Sequence, residues 1–354
     1  MKEFAARLKK AARTIFIVLC VIPFCCVISA CGSNENGSNK KSLYGGGDFT
    51  DAFEVYSGFS VNYLDVGNGD AIFINFGDGK TMLIDCGAES DLNLKTIKRY
   101  LDAYAKNGLD YLVLTHPDSD HVGNAAAILN DYKVGKAYIP YLLQPENFAA
   151  YYGAYSLLTE KEDANETKII YSTVGKMVYG EDYYLIMLSP NAKNTTDSAY
   201  DTVNSSVSPS PDAINNLSPI IYLDYKGVRF IFTGDAGVSQ ERVALTNVDE
   251  GLVDRYLNAK QKAPVNLTDI DFLKVSHHGS DDGSGREFLQ RITPKNAVIS
   301  VSGNNGYGFP KQETLTRILD ANGNCKFYIT GVKGTVSVLV DGQGNATVKT
   351  SSGT

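Results

Sequence analysis

Tryptophan is absent from this chain of 354 residues, histidine occurs only four times and cysteine only six times. Cys20, Cys25, Cys26 and Cys31 crowd near the amino terminus, so the rest of the chain holds only Cys86 and Cys325. Both lie in apolar, strand-like stretches, which predicts buried free thiols and excludes a small disulfide-stapled scaffold. The composition, 43% hydrophobic and 21% charged, is typical of an ordinary globular protein with enough material for a core.

Basic residues are scarce outside the first segment. Residues 1–30 carry five Lys and Arg and one Glu, while the whole chain has a net charge of −7, so residues 31–354 carry −11. A body this acidic is a poor general binder of nucleic acid, because phosphate contacts need Lys and Arg. No basic run is present, which leaves room only for a local basic groove.

The amino terminus has the pattern of an export signal. A positive stretch that ends at Arg13 precedes an apolar run at 15–28, which has the length of a signal-peptide core and is short for a membrane span. Ile28-Ser29-Ala30-Cys31 then resembles a bacterial lipobox. We therefore predict a signal peptide at 1–30, cleavage before Cys31 and acylation of its thiol. The alternative is an uncleaved anchor helix; both place the body outside the cytoplasm, tethered to the cell membrane.

Periodicity predicts a single domain at 57–354, after a flexible Gly-, Ser- and Asn-rich tether at 31–56. Three short runs between 59 and 87 read as a β-meander, 91–107 as a helix, YLVLTH as a strand buried on both faces and HVGNAAAILNDY as the next helix. The later half repeats this order, with a hairpin at Lys226-Gly227 and alternating strands and helices after it. Segments 141–176 and 191–217 are predicted insertions, the second of them mobile. Sheets followed by helices in both halves favour an α/β fold, an αββα sandwich.

All four histidines lie in two short segments, each directly after an apolar strand. In THPDSDH, residues 115–121, two imidazoles and two carboxylates fall within six residues: His116, Asp118, Asp120 and His121. This mixture suits Zn, Mn or Fe, and the carboxylates favour the harder ions. The second segment contains His277 and His278, and a third strand end carries Asp235.

These three segments together predict a metal site, although each has an ordinary structural explanation when taken alone. Asp235 alone is typical of a turn or helix cap, and an isolated His pair is typical of a surface loop. In a two-metal site the ions deprotonate a water, and a bridging carboxylate suits Asp235. Asp118 or Asp120 would orient that water as the catalytic residue.

The combined motifs resemble those of the metallo-β-lactamase superfamily, and most closely its ComEC-like extracellular hydrolase branch. The resemblance is carried by DVGNGDA at 65–71, LIDCG at 83–87, LTHPDSDHVGN from 114, Asn215-Asn216-Leu217-Ser218 and DFLKVSHHGS at 271–280, and it covers about 59–340. It implies a sandwich of two mixed sheets flanked by helices, and one or two divalent ions, Mn or Zn above all.

The resemblance also implies roles for single residues. His116, Asp118, Asp120 and His121 would be ligands, Asp235 would bridge, and one of His277 and His278 would complete the site, with His277 favoured because it is nearer the strand. Asp65 and Asp85 would brace the metal loop, and Asp70 would be a turn residue. Asn215, Asn216 or Ser218 would occupy the place of a ligand that the superfamily usually supplies as His.

Three departures from the superfamily pattern bear on function. Asp118 stands where a His is usual, which makes a lactamase- or lactonase-type dizinc site a poorer match. No His occurs between 121 and 277. Phe309 stands in a Gly-Phe-Pro where the branch often has Gly-His-Pro.

Three functions remain open from the sequence. The first is a phosphodiesterase or nuclease that acts outside the cytoplasm on nucleic acid or nucleotide. The second is hydrolysis of an ester, lactone or amide in the cell envelope, and the third is a non-catalytic surface-binding lipoprotein. No obligate protein partner is evident.

Overall fold

The computed structural model describes residues 55–352. The strands are β1 Phe59–Tyr63, β2 Ile72–Asn75, β3 Thr81–Ile84, β4 Leu109–Val113, β5 Val134–Ile139, β6 Lys168–Tyr171, β7 Met177–Tyr179, β8 Tyr183–Met187, β9 Ile221–Tyr225, β10 Val228–Phe232, β11 Phe272–Lys274, β12 Asn296–Ile299, β13 Lys326–Ile329, β14 Val336–Val340 and β15 Ala346–Thr350. The helices are α1 Asp91–Tyr104, α2 Ser119–Val122, α3 Ala125–Asp131, α4 Ala149–Asp163, α5 Ala199–Asn204, α6 Pro211–Asn215, α7 Val238–Asp249, α8 Leu252–Asn258, α9 Arg286–Ile292, α10 Gln312–Ala321 and α11 Thr330–Lys333. Short 3₁₀ turns cover Pro145–Asn147 and Ser276–Gly279.

Two mixed sheets form the centre of the fold. One has eight strands in the order β15-β14-β1-β2-β3-β4-β5-β6, and the other has seven in the order β13-β12-β11-β10-β9-β8-β7. Pairing is parallel from β3 to β6 and from β10 to β13, and antiparallel elsewhere in both sheets. Parallel strands align their carboxyl ends, which gives each sheet one edge where loops converge.

Three apolar clusters hold the layers together. Phe59, Phe76, Tyr183 and Phe230 belong to the cluster between the two sheets, where Phe76 stacks on Tyr183 with ring centroids 4.3 Å apart. A second cluster packs α1, α3 and α4 on the eight-stranded sheet, and a third packs α7, α8 and α9 on the seven-stranded sheet. Burial of apolar surface on both faces of each sheet accounts for the αββα layering, which confirms the predicted fold class.

Several expected elements are present with shifted bounds. The meander and the hairpin at Lys226-Gly227 form as predicted. The helix expected over 91–107 begins after the Ser90 cap and ends at Tyr104. The helix expected after His121 is divided at Gly123, where an added Cβ would lie 2.2 Å from the backbone nitrogen of Glu89. Glycine therefore lets α2 approach the preceding loop.

The two expected insertions contain regular structure. Segment 141–176 supplies α4 and the edge strand β6, and 191–217 contains α5 and α6. Cys86 and Cys325 are free and buried, as predicted. Across residues 55–352, no helix has the length and apolar character needed to cross a membrane. The predicted signal peptide and Cys31 lie outside the described residues, as does the tether up to residue 54.

Candidate metal centre

The three predicted segments meet where β4, β10 and β11 end. β4 runs into Thr115 and His116, β10 runs into Asp235, and β11 runs into the turn that carries His277 and His278. Both histidines of that turn adopt left-handed backbone angles, with φ of 45° and 53°. Such angles are costly for residues other than glycine and concentrate at functional sites. Here they direct two adjacent imidazoles toward the same centre.

His121 is fixed from behind by a carboxylate. Its Nδ1 lies 2.8 Å from Oδ2 of Asp85, and Asp85 also accepts hydrogen bonds from the backbone nitrogen and hydroxyl of Thr115. A carboxylate at Nδ1 holds the proton there, which leaves Nε2 with its lone pair facing the centre. His121 and Asp85 are fully buried.

One set of four donor atoms is compact. Nε2 of His121 lies 3.3 Å from Nε2 of His278 and 3.2 Å from Oδ1 of Asp235, while Nε2 of His278 lies 3.4 Å from Oδ2 of Asp120. Four ligands bound tetrahedrally at the usual zinc distances would be about 3.4 Å apart. These three distances match the spacing of a metal-ligand shell. Donor atoms of Asp120, His121 and His278 all lie within 4.8 Å of one another, as do those of His116, His121 and Asp235.

A second set is looser and shares Asp235. Nε2 of His116 lies 3.7 Å from Oδ2 of Asp118 and 3.9 Å from Oδ2 of Asp235, and Nε2 of His277 lies 3.7 Å from the same Asp235 oxygen. Asp118 is 42% exposed, in contrast to the buried His116. The carboxylate of Asp235 thus stands between the two sets, in the place of a bridging ligand.

Two buried atoms support the fit of the site to a cation. Nε2 of His116 is buried and has no hydrogen-bond partner among the described residues, and the buried Oδ1 of Asp235 faces the imidazole of His121 at 3.2 Å. A buried acceptor without a partner is costly, and a metal ion would satisfy both atoms. The donor set of imidazoles and carboxylates fits one or two divalent ions of the Zn or Mn kind.

The electrostatics of the centre also favour positive charge. Burial alone would raise the pKa of Asp235, but the neighbouring imidazoles of His121 and His278 lower the pKa well below its usual range. Burial lowers the pKa of His278, yet Asp235 and Asp120 outweigh it and raise that pKa to about 9. Without a metal, protonated imidazoles balance the carboxylates, so metal binding would release protons.

Contacts behind the ligands are made by residues that sequence reasoning did not assign. Nδ1 of His278 donates to the backbone oxygen of Ser300 at 2.7 Å, and Nδ1 of His277 lies 2.8 Å from Asp282. Lys274 forms a buried ion pair with Asp70 at 2.7 Å. Asp70 was expected to be a turn residue, but it is 1% exposed and sits beneath His278. In the sequence, a lysine inside the apolar run DFLKVS indicates a buried positive charge that needs a buried acidic partner.

The residues expected to brace the site lie at different distances from it. Asp85 contacts His121 directly, whereas Asp65 is only half-buried and accepts from the backbone nitrogen of Gly67 at 3.4 Å. Burial raises the pKa of Asp65. Asp85 can therefore orient an imidazole that faces the metal centre, whereas the Asp65 carboxylate stabilises its own turn.

The Asn-Asn-Leu-Ser segment reaches the centre through Ser218. Its hydroxyl lies 3.2 Å from Nδ1 of His116 and accepts from the backbone nitrogen of Asp235 at 3.2 Å. Asn216 accepts from the backbone nitrogen of Gly237, just past Asp235. Asn215 is buried, and its Oδ1 has no hydrogen-bond partner in the described part of the chain.

Phe309 packs edge-on against His277, with ring centroids 5.7 Å apart and an angle of 64° between the rings. Tyr307 stacks on Phe309 in turn, at 5.5 Å. An apolar ring therefore flanks the more exposed histidine, and it can neither bind a metal nor transfer a proton.

Comparison with known proteins agrees with this geometry. Residues 64–184 match the Metallo-beta-lactamase superfamily. The chain is 28% identical over 304 residues to ComE operon protein 3 of Bacillus subtilis, covering 78% of this chain and 34% of that protein. It is 24% identical over 262 residues to Recombination protein 2 of Haemophilus influenzae, covering 73% of this chain and 26% of that protein. The chain therefore spans about a third or less of these two relatives.

Among solved structures, the chain is similar to the metallo-beta-lactamase fold protein YhfI of Bacillus subtilis. The two are 9% identical, and the match covers 76% of this chain and 96% of that one with a TM-score of 0.43. The order of the sheets, the superfamily match and the two related sequences agree on one assignment. Residues 64–184 therefore match the metallo-β-lactamase superfamily, and the two related sequences support a ComEC-like assignment.

Proposed function

We propose that the protein is a metal-dependent phosphodiesterase that cleaves nucleic acid or nucleotide. The observation that carries the proposal is the position of Asp235 between two sets of donor atoms. Two ions held a few ångströms apart can stabilise both the attacking and the leaving oxygen of a phosphodiester. A match to a relative named as a recombination protein supports a substrate of this class.

The ligand chemistry also favours phosphate over a β-lactam. Three carboxylates, Asp118, Asp120 and Asp235, join the imidazoles at the centre. Carboxylate-rich sites suit the harder ions that bind phosphate oxygens. Asp118 and Asp120 are 42% and 36% exposed, so substrate can approach from their side of the centre.

Each side chain would have a defined part in the reaction. Asp120, His121, His278 and Asp235 would hold one ion, and His116, Asp118, Asp235 and His277 would hold the other. The bound ions would supply a hydroxide and neutralise charge on the phosphate. Asp118 or Asp120 would orient the attacking water. Because Phe309 cannot donate a proton, the leaving oxygen would take its proton from solvent.

The experiment compares purified wild-type protein with Asp120→Ala, each loaded with Mn or Zn, on bis-p-nitrophenyl phosphate and on labelled DNA and RNA. We expect a loss of at least about a hundredfold in kcat/KM, since outer contacts of a metal site already cost 10–100-fold. Asp281→Ala is the control, because Asp281 is exposed near the His pair without contacting the centre.

Three other results would point elsewhere. Undiminished cleavage by Asp120→Ala contradicts the proposal. Hydrolysis of an ester, lactone or amide panel without any phosphodiester cleavage supports the envelope-hydrolase alternative. Failure of the wild-type protein to bind Mn or Zn, measured by elemental analysis, supports a non-catalytic surface-binding protein.

We further propose that the domain works outside the cytoplasm, anchored to the membrane by lipid on Cys31. The lipobox-like Ile28-Ser29-Ala30-Cys31 and the apolar run before it support this. Metabolic labelling with a fatty-acid analogue should mark the wild-type chain and not Cys31→Ala. Equal labelling of both chains would contradict the proposal.

A further inference from the structure

A groove of about 730 Å³ lies along the side of the sandwich, where the edge strands β6 and β7 of the two sheets face outward. Its lining includes none of the candidate metal ligands. The walls come from β5, β6, the loop that leads into β7, the start of the 191–217 segment and α8. The groove is therefore a feature separate from the metal centre.

The charge of the groove is opposite to that of the body. Six cations line it and no Asp or Glu does, although residues 31–354 carry a net charge of −11. All six cations are exposed, and none forms an ion pair with a carboxylate in the described part of the chain. They are Lys136, Lys168, Lys176, Lys193, Arg255 and Lys260. Burial raises the pKa of Tyr171, the charge of Glu162 contributes to this rise, and the Glu162 carboxylate accepts from the backbone nitrogen of Ile169.

Tyrosine side chains line the groove together with these cations. Tyr171, Tyr179 and Tyr256 are each 42–43% exposed, although large aromatic rings are usually buried. The ammonium of Lys260 lies 5.6 Å from the ring centroid of Tyr179. Tyr179 therefore offers an aromatic surface beside a positive charge, and Tyr171 and Tyr256 line the same groove as the six cations.

The rings of Tyr256 and Tyr171 are held in place by their neighbours. Tyr256 lies against Gly175, where an added Cβ would meet the ring at 2.3 Å. Tyr141 packs edge-on against Tyr171 at 4.9 Å and lies under the ammonium of Lys193 at 4.5 Å. Rings fixed by their neighbours lose little entropy when a flat ligand stacks on them.

We infer that this groove binds single-stranded nucleic acid, with its phosphates on the six cations and its bases on the exposed tyrosines. Unpaired charge and stacking surfaces together match a single strand, whose bases are free, and not a duplex, whose bases are already stacked. A membrane surface does not fit, because the groove is concave. An acidic peptide that pairs with the edge strands is the main rival, because β6 and β7 each leave one side unpaired.

The inference goes beyond the proposed hydrolysis, because binding here needs no metal. It can therefore be measured in an Asp120→Ala background, where cleavage does not interfere. The probe is a fluorescent single-stranded DNA of about a dozen nucleotides, followed by anisotropy. Groove variants are Lys168→Gln/Lys260→Gln and Tyr179→Ala. Matched controls remove the same charge and the same exposed ring elsewhere, with Lys106→Gln/Lys326→Gln and Tyr152→Ala.

We expect the double lysine variant to weaken binding at least about tenfold at physiological salt, and to lower the slope of log Kd against log salt by about 1.4, or 0.7 per lost phosphate contact. Tyr179→Ala should weaken binding by about 5- to 150-fold, the range for one stacked base. The controls should stay within about twofold. All changed side chains are exposed, and circular dichroism melts check that each variant folds.

Equal affinity of groove and control variants overturns the inference, and so does tighter binding of duplex than of single strand. Stronger competition by an acidic peptide of the same length assigns the groove to a peptide instead. Cleavage of bis-p-nitrophenyl phosphate by the wild-type protein is scored separately. Loss of either function therefore leaves the other measurable.

Discussion

The ammonium of Lys274 lies 2.7 Å from a carboxylate oxygen of Asp70, and their side chains are 0% and 1% exposed. The ammonium also donates to the backbone oxygen of Val275 at 2.9 Å. The second oxygen of Asp70 lies 3.9 Å from Nδ1 of His278. This buried pair joins the loop before β2 to β11, which runs into the turn that carries His277 and His278. The pair therefore contributes both to the stability of the fold and to the position of the metal centre.

Replacement of Lys274 by Met should therefore destabilise the protein by about 3–5 kcal/mol, because it leaves the buried carboxylate of Asp70 uncompensated. The measurement is urea unfolding followed by circular dichroism. The double variant Asp70→Asn/Lys274→Met should cost clearly less than the single lysine variant, because it leaves no unpaired charge. Equal costs for the two variants would contradict an ion pair as the source of the effect.

The fold could be predicted from the sequence because its signals are local. Apolar strand runs, the Lys226-Gly227 turn and the alternation of sheet and helix each fall within a few residues, and all of them recur in the structure. The signal for the metal loop is also local, because four polar side chains directly follow one buried strand. The three strand-end segments together predicted that Asp235 and the His pair converge on that loop, and the family resemblance implied a role for each residue.

The unpredicted contacts are all long-range. Lys274 ends β11 of the seven-stranded sheet, whereas Asp70 lies in the loop before β2 of the eight-stranded sheet, and only the folded chain brings them together. The six cations of the groove come from separate segments, so no basic run marks them in the sequence. Periodicity predicts which face of an element is buried, but it does not predict which distant element covers that face.

Gly69 is expected to be required for the shape of the metal loop. Its φ is +117°, and an added Cβ would lie 2.0 Å from the backbone oxygen of Asp120, so alanine there would displace the loop. Gly67 is the matched control, because its φ is +74° and nothing lies within 4 Å of its Cβ position.

Both alanine variants carry about 1–2 kcal/mol of backbone strain. Only Gly69→Ala should also lose metal, as measured by elemental analysis and by the zinc-dependent rise in Tm. Equal retention of metal in the two variants would show that the close approach does not position Asp120.

Asp85 and Asp65 provide a test of which carboxylate supports the ligands. Asp85→Asn keeps the shape of the side chain but removes the charge that faces Nδ1 of His121, so metal affinity should fall by about 10–100-fold. Asp65→Asn should change affinity little, because the Asp65 carboxylate accepts from the backbone of its own turn. Competition titration against a chromophoric chelator measures both variants, and a larger loss in Asp65→Asn would contradict this assignment.

Glu241 should make stability depend on pH. Its side chain on α7 is 1% exposed, and its carboxylate accepts from the backbone nitrogens of Ser284 and Gly285 at 2.6 and 2.8 Å. Burial nevertheless raises its pKa to about 7, while the charge of Arg317 lowers that pKa and the charge of Asp282 raises it. The folded state therefore holds a proton that the unfolded chain releases near pH 4.5.

The stabilisation from this proton is complete below pH 4.5 and is lost as the pH rises to about 7, because the folded state must then bury a charge. The free energy of unfolding should fall by about 3 kcal/mol across that window, as measured by urea unfolding at several pH values. Glu241→Gln stays neutral and should flatten this part of the profile. Glu287→Gln, which removes an exposed carboxylate, is the control and should leave the slope unchanged. A profile that keeps its slope in Glu241→Gln would place the titrating group elsewhere.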